Sequence, residues 1–337
     1  MFLRNLNLIR AIKANKEFYL IGVAYIVFSI VLVRIYGIQK KVPNQIVSLL
    51  ITSFSFFATY LVYYLVQCLI IIRPERPIIH IVNDLRKLER FRILSFILIL
   101  LFMSAIMVSF AIIKPLIPIL NPFSWDEKLA HLDFILHGND PWKIIHSYLS
   151  PTLVTRFLVF AYIFYFYAIF AGVAIYAAAP NSINRRQFIL AYPLCWIILG
   201  TLFAIIFSSA GPCYYQYVVE EPNKYSELMN YLHSPNTPVN VIVRYQDSLW
   251  SAHINNIPDR FFAISAMPSM HISQLCLLVF SIKNHIIKIL TIILTVLVSL
   301  ACVHFGWHYA VDIYAAVIGT YIIWYFVGLY LKRKAGH

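Results

Sequence analysis

The chain has 337 residues, of which 61% are hydrophobic and only 12% charged, with a mean hydropathy of +0.75. An ordinary soluble domain carries about 25% charged residues. A water-soluble fold is therefore excluded, and with it a nucleic-acid binder drawing on the net charge of +13. The basic residues gather at the ends of apolar runs, where membrane topology accounts for them.

The N-terminal stretch MFLRNLNLIRAIKANKEF is basic and lacks a small-residue cleavage site, so it reads as a cytoplasmic flank. Hydropathy then predicts an all-α polytopic bundle of about eight spans, near 18–36, 47–72, 94–119, 153–178, 188–209, 270–283, 286–304 and 309–331. The sixth is short, implying tilt or a start inside the preceding segment.

With the N-terminus inside, the positive-inside rule places Arg73, Arg76, Arg86, Lys87, Arg90, Arg92, Arg185, Arg186, Lys283, Lys288, Lys332, Arg333 and Lys334 on the same side. Arg34, Lys40 and Lys41 oppose it. Both termini are expected to be cytoplasmic, and Arg185 and Arg186 read as topology signals.

Two exterior connections are long, 120–152 and 210–269. In the first, Trp125, Leu129, Leu132, Leu136 and Trp142 recur at helical spacing with charges between them, as in short amphipathic helices lying on the membrane. Asp126, Asp133 and His137 in that segment read as solvated surface. The five cysteines form neither an extracellular framework nor a CxxC pair.

Candidate chemistry lies at two span ends on the predicted outer face. The first is Ala266-Met267-Pro268-Ser269-Met270-His271, and the second runs from His304 through His308 to Asp312. His308 and Asp312 are four apart, hence on one helical face. A carboxylate there fixes one ring nitrogen and frees the other as nucleophile or base. His271 adds an acid on the leaving-group side. Ser269 either binds a phosphate oxygen or caps the sixth helix. Tyr214 and Tyr215 line a headgroup pocket or belong to an aromatic belt. His304, His308 and Asp312 also have metal-triplet spacing, but His304 reads better as a residue packed beside the site, and no metal or other cofactor is expected.

The pair AMPSMH and GWHYAVDIYA resembles the second and third signature motifs of the type 2 phosphatidic acid phosphatase superfamily, over roughly residues 94–331. Within it the chain most resembles inositol phosphorylceramide synthases. The stretch Phe207–Tyr215, with Gly211 and Pro212, resembles the proline-containing segment that these synthases have in place of the first motif. The resemblance implies His308 as phosphoryl-accepting nucleophile, Asp312 as its orienting carboxylate, and His271 as acid and then base. Ser269, Gly211, Pro212, Tyr214 and Arg260, with His304 beside them, are the expected substrate- or phosphate-binding residues.

Two departures bear on substrate. Cys302 stands where the phosphatases have an arginine, and the Phe207–Tyr215 stretch has no cation. A phosphate monoester carries nearly two negative charges and a diester one, so a diester donor and transfer to a hydroxyl are favoured. Arg260, or less readily Arg244, is expected to fold back and supply one charge. Lys114-Pro115…Asn121-Pro122 mimics the first motif's spacing but ends the third span, two spans early, and reads as an interfacial helix end.

The expected protein is an integral membrane lipid phosphotransferase that moves a phosphoryl-containing headgroup from a phospholipid to a lipid or polyol hydroxyl. Residues 94–337 form its catalytic core, and residues 1–93 add two accessory spans. The expected place is a bacterial inner membrane with a periplasmic site. The alternatives are a lipid phosphate or diphosphate phosphatase using water, and a non-catalytic transporter or scaffold.

Overall fold

An apolar run in lipid must satisfy every backbone N–H and C=O internally, and a helix does so locally. The computed structural model describes residues 2–37, 44–87, 89–220, 222–255 and 263–335, and these contain no strand. The helices are α1 (Phe2–Ala14), α2 (Lys16–Ile35), α3 (Gln45–Val66), α4 (Pro77–Lys87), α5 (Arg90–Ile113), α6 (Ile117–Leu120), α7 (Asp126–His137), α8 (Pro141–Leu149), α9 (Thr152–Ala178), α10 (Ile183–Ile197), α11 (Ala204–Ile206), α12 (Tyr215–Val218), α13 (Ser226–His233), α14 (Asn240–Ile254), α15 (Met270–Ser281), α16 (His285–His304) and α17 (Ala310–Ala335).

Among the described residues, seven helical stretches are long and apolar enough to cross a membrane: Lys16–Ile35, Ile46–Ile72, Arg90–Leu120, Thr152–Ala178, Ile183–Ile206, His285–His304 and Ala310–Lys334. Each matches a predicted span. The predicted sixth span is α15, only 12 residues long. It is nonetheless central, packing on α9, α10, α16 and α17.

The hub is α10, whose Phe188, Ile189, Leu190, Ala191, Tyr192 and Cys195 are buried against α2, α5, α9, α15 and α17. Facing outward, α3 and α16 expose Ile46, Leu50, Phe54, Ile286, Leu290 and Ile293. In water such a surface would be untenable; against lipid tails it costs nothing.

Arg185, read from the sequence as a topology signal, also has a structural part. It is 4% exposed, and its guanidinium donates to the Tyr176 and Ala177 carbonyls at 3.0 and 3.2 Å and to Asn15 Oδ1 at 3.2 Å. The last carbonyls of a helix lack intrahelical donors, and Arg185 supplies them for α9. Its neighbour Arg186 lies 4.0 Å from Glu17, which also pairs with Lys334, so α2, α10 and α17 are tied at one end of the bundle. All five cysteines are free and buried.

Both long connections are largely helical. α7 and α8 form the first, and the second is built from α12, α13 and α14. They cover the end of the bundle opposite the Glu17 ties, where the loops before α15 and α17 meet.

Candidate active site

Three chain turns converge at that end. The stretch after α11 turns at Gly211, whose φ of +100° suits only glycine, and a Cβ there would lie 2.7 Å from the Trp307 carbonyl oxygen. Gly306, at φ +71°, makes the matching turn after α16. The turns are stitched together by backbone bonds: Cys213 N donates to Gly306 O at 2.8 Å, Ala266 N to Ser209 O at 2.9 Å and Ser269 N to Asp312 O at 3.2 Å.

This stitching brings His271, at the start of α15, against His308, just before α17. His271 Nδ1 is 3.0 Å from His308 Nε2. His308 Nδ1 is 3.3 Å from Asp312 Oδ2, which also accepts the Tyr309 N–H at 3.1 Å. Because Oδ2 already faces that N–H as an acceptor, His308 Nδ1 is the donor, which leaves the Nε2 lone pair toward His271. His308 is 4% exposed and Asp312 fully buried. Burial, and then the nearby Lys114 ammonium, hold the His308 imidazole down to about 3, so this nitrogen is an uncharged base.

A cavity of about 480 Å³ opens on the pair. His271, His308, Lys114, Tyr162, Tyr165, Tyr214, Tyr245 and Trp307 contribute polar atoms or ring faces to it, while Val108, Phe110, Ile163, Phe166 and Ile264 are apolar. Such a lining suits a molecule with a polar head and a hydrocarbon body. Among the described residues of the lining, Lys114 is the one Lys or Arg side chain.

The sequence reads Lys114 as an interfacial helix end because it stands two spans early in the chain. Instead α5 packs beside α9 and α10, and the three-residue 3-10 turn Lys114–Leu116 puts its ammonium in the cavity wall.

Asp126 and Asp133 also differ from expectation: neither is solvated, at 1% and 2% exposure. Asp126 accepts from Ala210 N, Gly211 N and Tyr309 Oη, each at 2.8 Å. Asp133 accepts from Ala310 N and Val311 N at 2.8 and 2.9 Å, the unpaired donors at the start of α17. Between them α7 clamps the Gly211 turn to the His308 loop. Burial pushes the Asp126 carboxyl up to about 6, against the downward pull of those bonds, and raises Asp133 as well. The amphipathic spacing misled because acidic side chains on the membrane-facing helix were read by polarity alone, whereas Leu132 and Leu136 are the exposed ones, at 42% and 56%. His137 is tied to Tyr314 Oη at 2.8 Å.

The remaining predicted contacts divide. Tyr214 lines the cavity, donates to Gln246 O at 3.0 Å and stacks on Trp250, so it is buried rather than part of a belt. Gly211 and Pro212 shape the turn, and their neighbours Ala210 and Tyr214 meet the cavity. Ser269 occupies the α15 N-cap position but makes no capping bond, and its buried Oγ has no partner. His304 lies outside the cavity lining, packed on His146, Tyr231 and Phe305. Arg260 is outside the described residues. Gln246 and Tyr162 carried no sequence signal. Gln246 donates to the Phe305 carbonyl at 2.7 Å, and Tyr162 Oη lies 3.0 Å from His271 Nε2.

Among the described residues, the ligand atoms that come within 4.8 Å of one another are those of His271, Cys302 and His308, not those of the His304, His308 and Asp312 spacing.

A family model described as the PAP2 superfamily matches residues 127–326. No curated protein matches the chain. No solved structure matches it either.

Proposed function

The chain belongs to the PAP2 superfamily and is a membrane enzyme of phosphatase or phosphotransferase type acting on lipid phosphates, and from that premise we propose that it transfers a phosphoryl-bearing headgroup from a phospholipid to a hydroxyl acceptor through phospho-His308. His308 Nε2 attacks phosphorus, Asp312 steadies the developing imidazolium, and His271 protonates the leaving oxygen and then deprotonates the acceptor. The 3.0 Å approach of His271 Nδ1 to His308 Nε2 carries this reading, because it puts a second titratable ring nitrogen directly beside the proposed nucleophile.

A single cation among the described lining residues favours a diester donor. Lys114 offsets about one negative charge, and a phosphate monoester would bring nearly two. The aromatic and aliphatic lining supports a lipid body beside the phosphate. These features agree with the inositol phosphorylceramide synthase-like branch, with a lipid or polyol as acceptor. In this proposal residues 94–337 hold the catalytic groups. The second of the two earlier spans, α3, adds part of the wall through Ser48 and Thr52. The site faces the outer leaflet of a bacterial inner membrane, with both termini cytoplasmic.

The test uses purified protein, a labelled phospholipid, and a panel of alcohol acceptors beside water alone. Label should move to the alcohol, and acid-labile label should be trapped on His308. His308→Ala and His271→Asn should remove turnover; equal turnover in wild type and both variants would sink the mechanism. Release of free phosphate with every acceptor would reassign the enzyme as a hydrolase.

A further inference from the structure

Tyr162 sits inside the long apolar run of α9. Its ring is 6% exposed, lies 5.3 Å from the His271 ring between centroids, and forms part of the cavity wall. Its hydroxyl is 3.0 Å from His271 Nε2, the nitrogen turned away from His308. Tyr162, His271, His308 and Asp312 therefore form one continuous series of hydrogen bonds, at 3.0, 3.0 and 3.3 Å.

We infer that Tyr162 is a positioning residue that acts through His271, pinning Nε2 so that Nδ1 is the nitrogen that gives and takes the proton. The inference rests on the phosphohistidine reading above and deepens it. An imidazole's two nitrogens are coupled: whatever holds one decides the state of the other. A phenol hydroxyl can donate or accept, so it matches His271 in every state the cycle needs.

When His271 is imidazolium, Nε2–H donates to Tyr162 Oη and Nδ1–H points at the reaction. In the first half-reaction the His308 Nε2–P bond forms and the P–O bond to the leaving group breaks. The leaving oxygen takes the Nδ1 proton, and Nε2–H stays on Tyr162. In the second half-reaction the acceptor hydroxyl gives its proton to Nδ1, its oxygen bonds phosphorus, and the P–N bond breaks. His271 ends as it began, and no other reactant is needed. Without the phenol hydroxyl, Nε2 would lose the partner it has here, and the proton could settle on either nitrogen.

The experiment compares two esters of one phosphate, releasing p-nitrophenol or a simple alkanol. p-Nitrophenolate departs without a proton, whereas an alkoxide needs one. General acid catalysis is worth about 10²–10⁴-fold, so Tyr162→Phe should slow the first turnover of the alkyl ester by roughly tenfold or more. The first turnover of the aryl ester should change by less than about twofold. Tyr162→His, which keeps a hydrogen-bonding group, should recover part of the alkyl rate. It carries the comparison if the phenylalanine variant does not accumulate in membranes. Equal slowing of both esters, or no recovery in the histidine variant, overturns the role of Tyr162 and leaves phospho-His308 standing. Undiminished turnover of both esters in His308→Ala would instead overturn the underlying reading.

Discussion

The molecule packs together two pairs of histidines, each with one buried and one half-buried ring, and they are built in opposite ways. His271 and His308 share a 3.0 Å bond, and each has a partner on its far nitrogen, Tyr162 or Asp312. His146 and His304 lie with ring centroids 5.8 Å apart, packed against Tyr231. Neither nitrogen of His304 has a partner among the described residues, nor has His146 Nδ1. The first pair borders the cavity; the second does not. What sets the first pair apart is an oriented ring with one nitrogen held and the other facing an opening. Burial alone produces packing.

The largest test of that contrast is paired substitution. His308→Ala should cost about 10³-fold or more in turnover, since nucleophile and base act as a unit. His304→Phe should leave turnover within about twofold. Comparable losses, measured as label transferred per enzyme, would dissolve the distinction.

Next comes Lys114. Lys114→Met removes the one cation of the described lining and should cost about one to two powers of ten in kcat/KM, in the range of a lost charge-assisted bond of roughly 1.5–3 kcal/mol. Lys114→Arg should recover part of it. An unaffected Lys114→Met would return this residue to the helix-end role first read for it.

The α7 clamp supplies a third test, in stability. Asp126→Ala strands three donors, each costing about 1–3 kcal/mol when buried without a partner. The thermal midpoint in detergent should therefore drop by several degrees.

The smallest effect is in pH. The folded chain raises Asp126 from 3.8 to about 6, so it favours the protonated carboxyl. The resulting stability is present below pH 3.8 and is lost as pH rises through about 6. Relative to Asp126→Asn, the wild-type midpoint should fall across that window and level off above it. A rise over the same interval would mean that the three hydrogen bonds outweigh desolvation.

Much of this was legible in the chain itself. Spans follow from hydropathy because lipid leaves the backbone no alternative to helix, and all seven long ones lie within a few residues of their predicted bounds. His308 and Asp312 were legible because four residues is one helical turn. Their meeting with His271 was legible because both segments end spans on one side.

Lys114 was not legible, because chain order says nothing about which spans become neighbours. Asp126 and Asp133 were misread because a carboxylate in a polar, amphipathic segment looks the same in sequence whether water or backbone N–H groups surround it. Tyr162 was invisible among the Tyr and Phe residues of α9, where one hydroxyl facing a histidine leaves no periodic trace.

The brevity of α15 has a further consequence. Twelve residues at 1.5 Å each cover about 18 Å, against a hydrocarbon thickness of about 30 Å. A helix of that reach cannot wall off its neighbours along their whole length, and the cavity at its start is lined by Met107 and Phe110 of α5 and by Ile163 and Phe166 of α9, residues inside two spans. Apolar walls of that kind hold an acyl chain more readily than water.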